Sequence, residues 1–128
     1  MKLLLDTAVF LWLSYDAPEI SEKARDAFQD PSHDVFLSVV SAWEIGVKSQ
    51  LGKLPLPTPA EVFVPSLREQ LSVASLPLDE PSTLQLAKLP PLHRDPFDRM
   101  LICQAIEHGL TLLTPDHQLR QYPVRTLW

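Results

Sequence analysis

Lys2-Leu3-Leu4-Leu5-Asp6 is the stretch that decides the fold. Three consecutive leucines leave no polar face, so this segment does not suit a sheet with one side in water. It reads as a strand buried on both faces, the kind found in parallel sheets covered by helices. Asp6 ends the run, and Thr7 to Leu13 follows as a helix or helical turn.

The rest of the chain alternates in the same way. Glu19 to Phe28 is an amphipathic helix with Ser21 as its cap, and Val35 to Leu37 is a second strand. Ser38 caps a helix over Val39 to Leu51 that Gly52 stops. Thr58-Pro59 with Glu61 marks another helix start, interrupted in its middle by Pro65. Val73 to Leu76 is a third strand, and Asp79 caps a short helix ending near Leu89. After a loop at Pro90 to Arg94, Asp95-Pro96-Phe97-Asp98 opens a helix that runs to His108 and stops at Gly109. Leu110 to Leu113 is a strand, Asp116 caps a short helix through Gln121, and Val124 to Leu127 is the last strand. Strands alternating with helices predict an α/β fold with a mainly parallel sheet and helices on both faces.

The 128 residues suit one domain, and 45% apolar with 21% charged residues excludes a disordered chain. The 13 prolines fall mostly between apolar blocks and act as punctuation. One cysteine, Cys103, excludes an internal disulfide and a cysteine-rich zinc site. It falls mid-helix among Leu101, Ile102 and Ile106, as a packing residue. Asp6 cuts the first apolar run short of a signal peptide, and no segment is long enough to span a membrane. The expectation is a soluble, cytoplasmic protein. A net charge of −5 argues against a general nucleic-acid coat protein, but not against an enzyme that acts on nucleic acid through cations.

The acids carry the chemistry. Asp6 and Asp116 each follow a strand, which places them on the carboxyl rim where open parallel sheets bind ligands. Asp98 lies in the first turn of its helix and Glu44 in the early turns of another. Asp98 alone can be part of a capping box, Asp116 a plain cap, and Glu44 a solvated residue, although Trp43, Ile45 and Val47 suggest a mostly buried helix. Four acids delivered to one rim need a positive partner. With no histidine or cysteine at metal-ligand spacing, zinc is disfavoured; an all-oxygen site suits Mg²⁺ or Mn²⁺. Hydrolysis of a phosphodiester is the reaction such a site serves best.

These residues carry a resemblance. Leu3 to Thr7 with Phe10-Leu11-Trp12, Ser38 to Lys48, Arg94 to Ala105 and Leu112 to Asp116 resemble, in order and spacing, the blocks of the PIN-domain nucleases. Among these they resemble the VapC-type toxins of bacterial toxin–antitoxin pairs. The resemblance implies a PIN-like three-layer α/β/α sandwich over residues 1–128, an RNA substrate, Mg²⁺ or Mn²⁺, and a homodimer inhibited by an antitoxin protein. It implies Asp6 and Asp98 as principal metal ligands, Glu44 as the next acid, and Asp116 as the most peripheral. Thr7 and Thr114 sit where hydroxyls support the site, and Asp95 sits one turn before Asp98 as the cap that presents it.

Lys48 and Arg99 are the preferred phosphate contacts, with Arg94 and Arg120 behind them. His93 and His117 lie near the acids in sequence, and a surface role is expected of both. Trp12, Trp43 and Phe63 are candidates to line a groove for an antitoxin helix, and the acidic site suits a partner arginine. A haloacid-dehalogenase-type phosphatase would need an acid where Ala8 stands, and a response-regulator receiver an acid where Leu5 stands. The remaining alternatives are a PIN-type RNA-processing nuclease that is not a toxin and a non-catalytic domain that binds RNA or protein.

Overall fold

The structure, a computed structural model, describes residues 1–128. Its strands are β1 (Lys2–Leu5), β2 (Asp34–Ser38), β3 (Ala74–Leu76), β4 (Thr111–Leu113) and β5 (Thr126–Leu127). They form one sheet in the order β3-β2-β1-β4-β5, with every pairing parallel. The helices are α1 (Thr7–Leu13), α2 (Glu22–Gln29), α3 (Val39–Gln50), α4 (Ala60–Gln70), α5 (Glu80–Leu84) and α6 (Pro96–His108). Short 3₁₀ turns cover Gln85–Lys88 and Leu119–Gln121.

The central position of β1 explains its composition. Leu3, Leu4 and Leu5 are fully buried because both faces of the strand are covered. Successive side chains point to opposite faces of a sheet. Leu4 and Leu112 accordingly enter a core under α6 with Leu101, Ile102 and Leu119. Leu5, Leu37 and Leu113 enter the opposite core with Val9 and Phe10 of α1, Ile45 of α3 and Leu67 of α4. Two cores on one sheet make the expected α/β/α sandwich. No helix is long and apolar enough to cross a membrane.

Some boundaries differ from expectation. Residues 19–21 lie outside α2, which starts at Glu22 with Ser21 Oγ accepting from Ala24 N at 3.0 Å. Pro59, not Thr58, caps α4: both Val62 N and Phe63 N donate to the Pro59 carbonyl, and no side chain caps the end. Pro65 does not break α4. It lies on the exposed side, as does Glu61, so the carbonyl it leaves unbonded meets water. The helix expected after Asp116 shrinks to a 3₁₀ turn. Asp116 Oδ1 instead closes a local turn by accepting from Gln118 N at 2.8 Å, and Pro123 leaves no room to extend it.

Trp43 is 61% exposed, so it does not help to bury α3 as its apolar neighbours suggested. Adjacent helical residues point about 100° apart, and Ile45 and Glu44 take the inner face instead.

Candidate active site

Asp6 is placed by two elements at once. Its N–H continues the sheet by donating to the Leu113 carbonyl at 3.2 Å, and its side chain caps α1 by accepting from Ala8 N at 3.4 Å. Thr114, the residue after β4, donates its hydroxyl to Asp6 Oδ2 at 2.6 Å. The same hydroxyl oxygen accepts from Asp116 N at 3.1 Å. Asp6, Thr114 and Asp116 thus form one chain of contacts across the ends of neighbouring strands.

Glu44 and Lys48 come from α3, one turn apart, and form an ion pair through Glu44 Oε2. Ser41 on the same helix accepts from the Thr7 hydroxyl at 2.8 Å, which ties α3 to α1 beneath the site. Asp95 Oδ1 accepts from Phe97 N at 2.9 Å and Asp98 N at 3.3 Å, and so sets the first turn of α6. Asp98 projects from that turn.

One cavity of about 260 Å³ gathers these groups. Asp6, Glu44, Asp98 and Asp116 all line it, with Thr7, Lys48 and Asp95. Thr114 stands behind Asp6. Asp95 therefore caps α6 and also faces the cavity. Lys48 sits here as the counter-ion of Glu44. Arg94 and Arg120 are exposed and do not line the cavity; Arg99 does not line it either, and its Nε is buried without a partner.

His93 departs from the expected surface role. Its ring is largely buried, and its Nε2 lies 3.0 Å from Asp98 Oδ2. The reason is a long-range tether: His93 N donates to the Tyr122 hydroxyl at 2.8 Å, and this folds the loop back over α6. The tether joins residues 29 apart, so no local pattern announced it. His117 is exposed, as expected.

Asp6 and Asp98 are held under electrostatic load. Burial pushes the Asp6 carboxyl above its ordinary value; the Thr114 and Ala8 hydrogen bonds oppose this, and the Glu44 and Asp116 charges add to it. Burial likewise lifts Asp98 to about 7, against the His93 hydrogen bond and with the charges of Asp6, Asp95 and Glu44. Lys48 rises through its bond to Glu44.

Glu44 Oε1 is the informative atom. It is buried and has no hydrogen-bond partner. A buried carboxylate oxygen without a donor is costly, and a bound cation would satisfy it. By their chemistry, the carboxylate oxygens of Asp6, Glu44 and Asp98, which line one cavity, suit a hard divalent cation. His93, Asp98 and Asp116 also place ligand atoms within 4.8 Å of one another.

The other large concavity, about 660 Å³, is an apolar groove between α1 and α4. Trp12 and Phe63 line it, as expected, but Trp43 does not. Trp43 packs edge-to-face on Phe97, with ring centroids 4.8 Å apart. Leu11 and Leu54 form walls of both the groove and the acidic cavity, so the two are contiguous.

Known proteins share this plan. The chain is 34% identical over 67 residues to Ribonuclease VapC16 of Mycobacterium tuberculosis (strain ATCC 25618 / H37Rv), a match covering 52% of the chain and 48% of that relative. It is 28% identical over 131 aligned positions to Ribonuclease VapC22 of the same organism, covering 98% of the chain and 97% of the relative. Its fold is similar to a chain of the VapBC2 crystal structure from Rickettsia felis bound to a promoter DNA fragment, with a TM-score of 0.73 at 16% identity over 99% of this chain and 98% of that one. The PIN domain profile matches residues 3–124, nearly the full length described, and the chain belongs to the PIN domain family.

Proposed function

We propose that this protein is a divalent-metal-dependent endoribonuclease and the toxin of a toxin–antitoxin pair. The observation that carries the reading is the convergence of Asp6, Glu44, Asp98 and Asp116 on one cavity, with a buried Glu44 oxygen left for a cation to satisfy. The ribonuclease names of its relatives support RNA as the substrate.

Asp6 and Asp98 are the principal ligands in this reading, with Glu44 beside them and Asp116 at the edge. Mg²⁺ or Mn²⁺, when bound, supplies activation of a water and stabilisation of charge on the phosphate. The protein's own groups prepare the site. Thr114 fixes one oxygen of Asp6 and, through its contact with Asp116 N, the position of the fourth acid. Asp95 aims the turn that carries Asp98, while Thr7 holds α1 against α3 through Ser41. Lys48, Arg94 and Arg99 supply positive charge for the RNA backbone, Lys48 directly at the cavity.

The partner assignments rest on the surface. The groove between α1 and α4 suits the apolar face of an antitoxin helix. Its continuity with the acidic cavity lets a basic side chain of that partner reach the carboxylates. The VapBC neighbour is a complex, which supports such a partner. Val39 and Trp43, both exposed and one turn apart on α3, support a homodimer.

The test is cleavage of RNA by purified protein with Mg²⁺ or Mn²⁺ and with chelator. Cleavage is expected only with metal, and a loss of about 100-fold or more is expected for Asp6→Asn and Asp98→Asn. Wild-type protein that binds RNA without cutting it would favour the non-catalytic alternative.

A further inference from the structure

We propose that His93, Asp98 and Asp116 form a second divalent-cation position, suited to a nitrogen-accepting ion such as Mn²⁺ rather than to Mg²⁺. It rests on the reading of Asp98 as a metal ligand and adds to it a residue outside the carboxylate set.

The geometry points this way on three counts. His93 Nε2 and Asp98 Oδ2 are 3.0 Å apart. Adjacent ligands at about 2.1 Å from an octahedral ion are also separated by about 3.0 Å, so an ion can replace the proton shared between these atoms with little movement. An Asp116 carboxylate oxygen lies within 4.8 Å of both, on a half-buried side chain whose Oδ1 also accepts from Gln118 N at 2.8 Å.

The backbone that carries the imidazole is also held in place. The Tyr122 hydroxyl anchors the backbone of His93, and Tyr122 itself is buried in the core under α6. Finally, Glu44 shares with Asp98 and Asp116 the lining of the acidic cavity, and its Oε1 is unpartnered and buried. That oxygen, with Asp6, makes up the neighbouring all-oxygen position. Asp98, which lines the cavity with Asp6 and Glu44 and contacts His93, is the carboxylate the two positions would share. Hard Mg²⁺ favours the oxygen position, whereas Mn²⁺ accepts imidazole as well.

The experiment is Mn²⁺ titration of chelator-treated protein. Free Mn²⁺ is counted by electron paramagnetic resonance, and the bound ion is examined by pulsed resonance for coupling to nitrogen. Wild type is expected to bind about two Mn²⁺ per chain, one of them coupled to an imidazole nitrogen. His93→Gln should bind one fewer ion and lose the nitrogen coupling, and Asp116→Asn should weaken the same ion by about tenfold or more. Asp6→Asn should lose the other ion and keep the coupling. Circular dichroism of each variant checks that it is folded.

The wild-type spectrum is decisive by itself. One bound ion without nitrogen coupling overturns the second position and leaves the nuclease reading standing. Coupling that survives in His93→Gln assigns the nitrogen to another histidine, such as exposed His117, and also overturns it. No bound Mn²⁺ in wild type removes both readings.

Discussion

Asp98 concentrates the conflict between folding and function. Its carboxyl is lifted to about 7 from an ordinary 3.8, chiefly by burial. Between those values the folded chain holds a proton that the unfolded chain has released. The contribution of Asp98 to stability is therefore present at low pH and is lost as pH rises from about 4 to about 7. In chelator, the Tm of wild type should fall by several degrees relative to Asp98→Asn over that range. A divalent ion, which needs the ionised carboxylate, should reverse the slope. Parallel melting curves for the two proteins would show that Asp98 carries no such load. Asp6 was legible in the sequence because a charge that ends a wholly apolar strand stands out. Glu44 and Asp98 became legible only as members of a set. His93 was not legible, because its contact with Asp98 depends on a loop pinned by Tyr122, which no local pattern encodes.

At the level of elements, the site is assembled by helix starts. Asp6 caps α1, and Asp95 caps α6 just before Asp98, so the backbone rules that begin each helix also aim the acids. The far end of α6 matters equally, because it returns the chain to β4. Gly109 closes that helix with φ of 65°, and its N–H donates to the Ile106 carbonyl at 3.4 Å. A Cβ there would meet no atom within 4 Å, so an alanine would suffer backbone strain alone. Gly109→Ala should cost about 1 kcal/mol and leave metal-dependent cleavage intact, as read by urea unfolding and RNA assay together. An unchanged midpoint would show that the turn tolerates alanine. This stop was readable from glycine after a periodic run. The start of α4 was misplaced by one residue because Thr58-Pro59 matches a capping pattern that the Pro59 carbonyl pre-empts. The short turn after Asp116 was misread as a helix because an aspartate that closes a local turn looks the same in sequence as one that caps.

Across the whole molecule, one sheet with two cores sets everything else. The unbroken leucines of β1 and β4 required helices on both faces, and that much was written in the chain. Which aromatics stay outside was not, because exposure depends on how the helices rotate against the sheet. Trp12 and Phe63 both line the groove, while Trp43 leaves α3 on another side to pack on Phe97. If the groove holds the antitoxin, Val62→Glu should weaken the complex by about tenfold or more without reducing cleavage, since Val62 is 54% exposed and lines the groove. Equal affinity in a binding titration would place the partner elsewhere. All of this serves a site whose gathered acids need a cation to satisfy them, and the binding of that cation can be seen. Anomalous diffraction from crystals soaked in Mn²⁺ tests it most directly. A peak is expected at about 2.0–2.3 Å from carboxylate oxygens of Asp6, Glu44 and Asp98. A well-ordered site with no peak there, its acids bonded only to Lys48 and water, would contradict it.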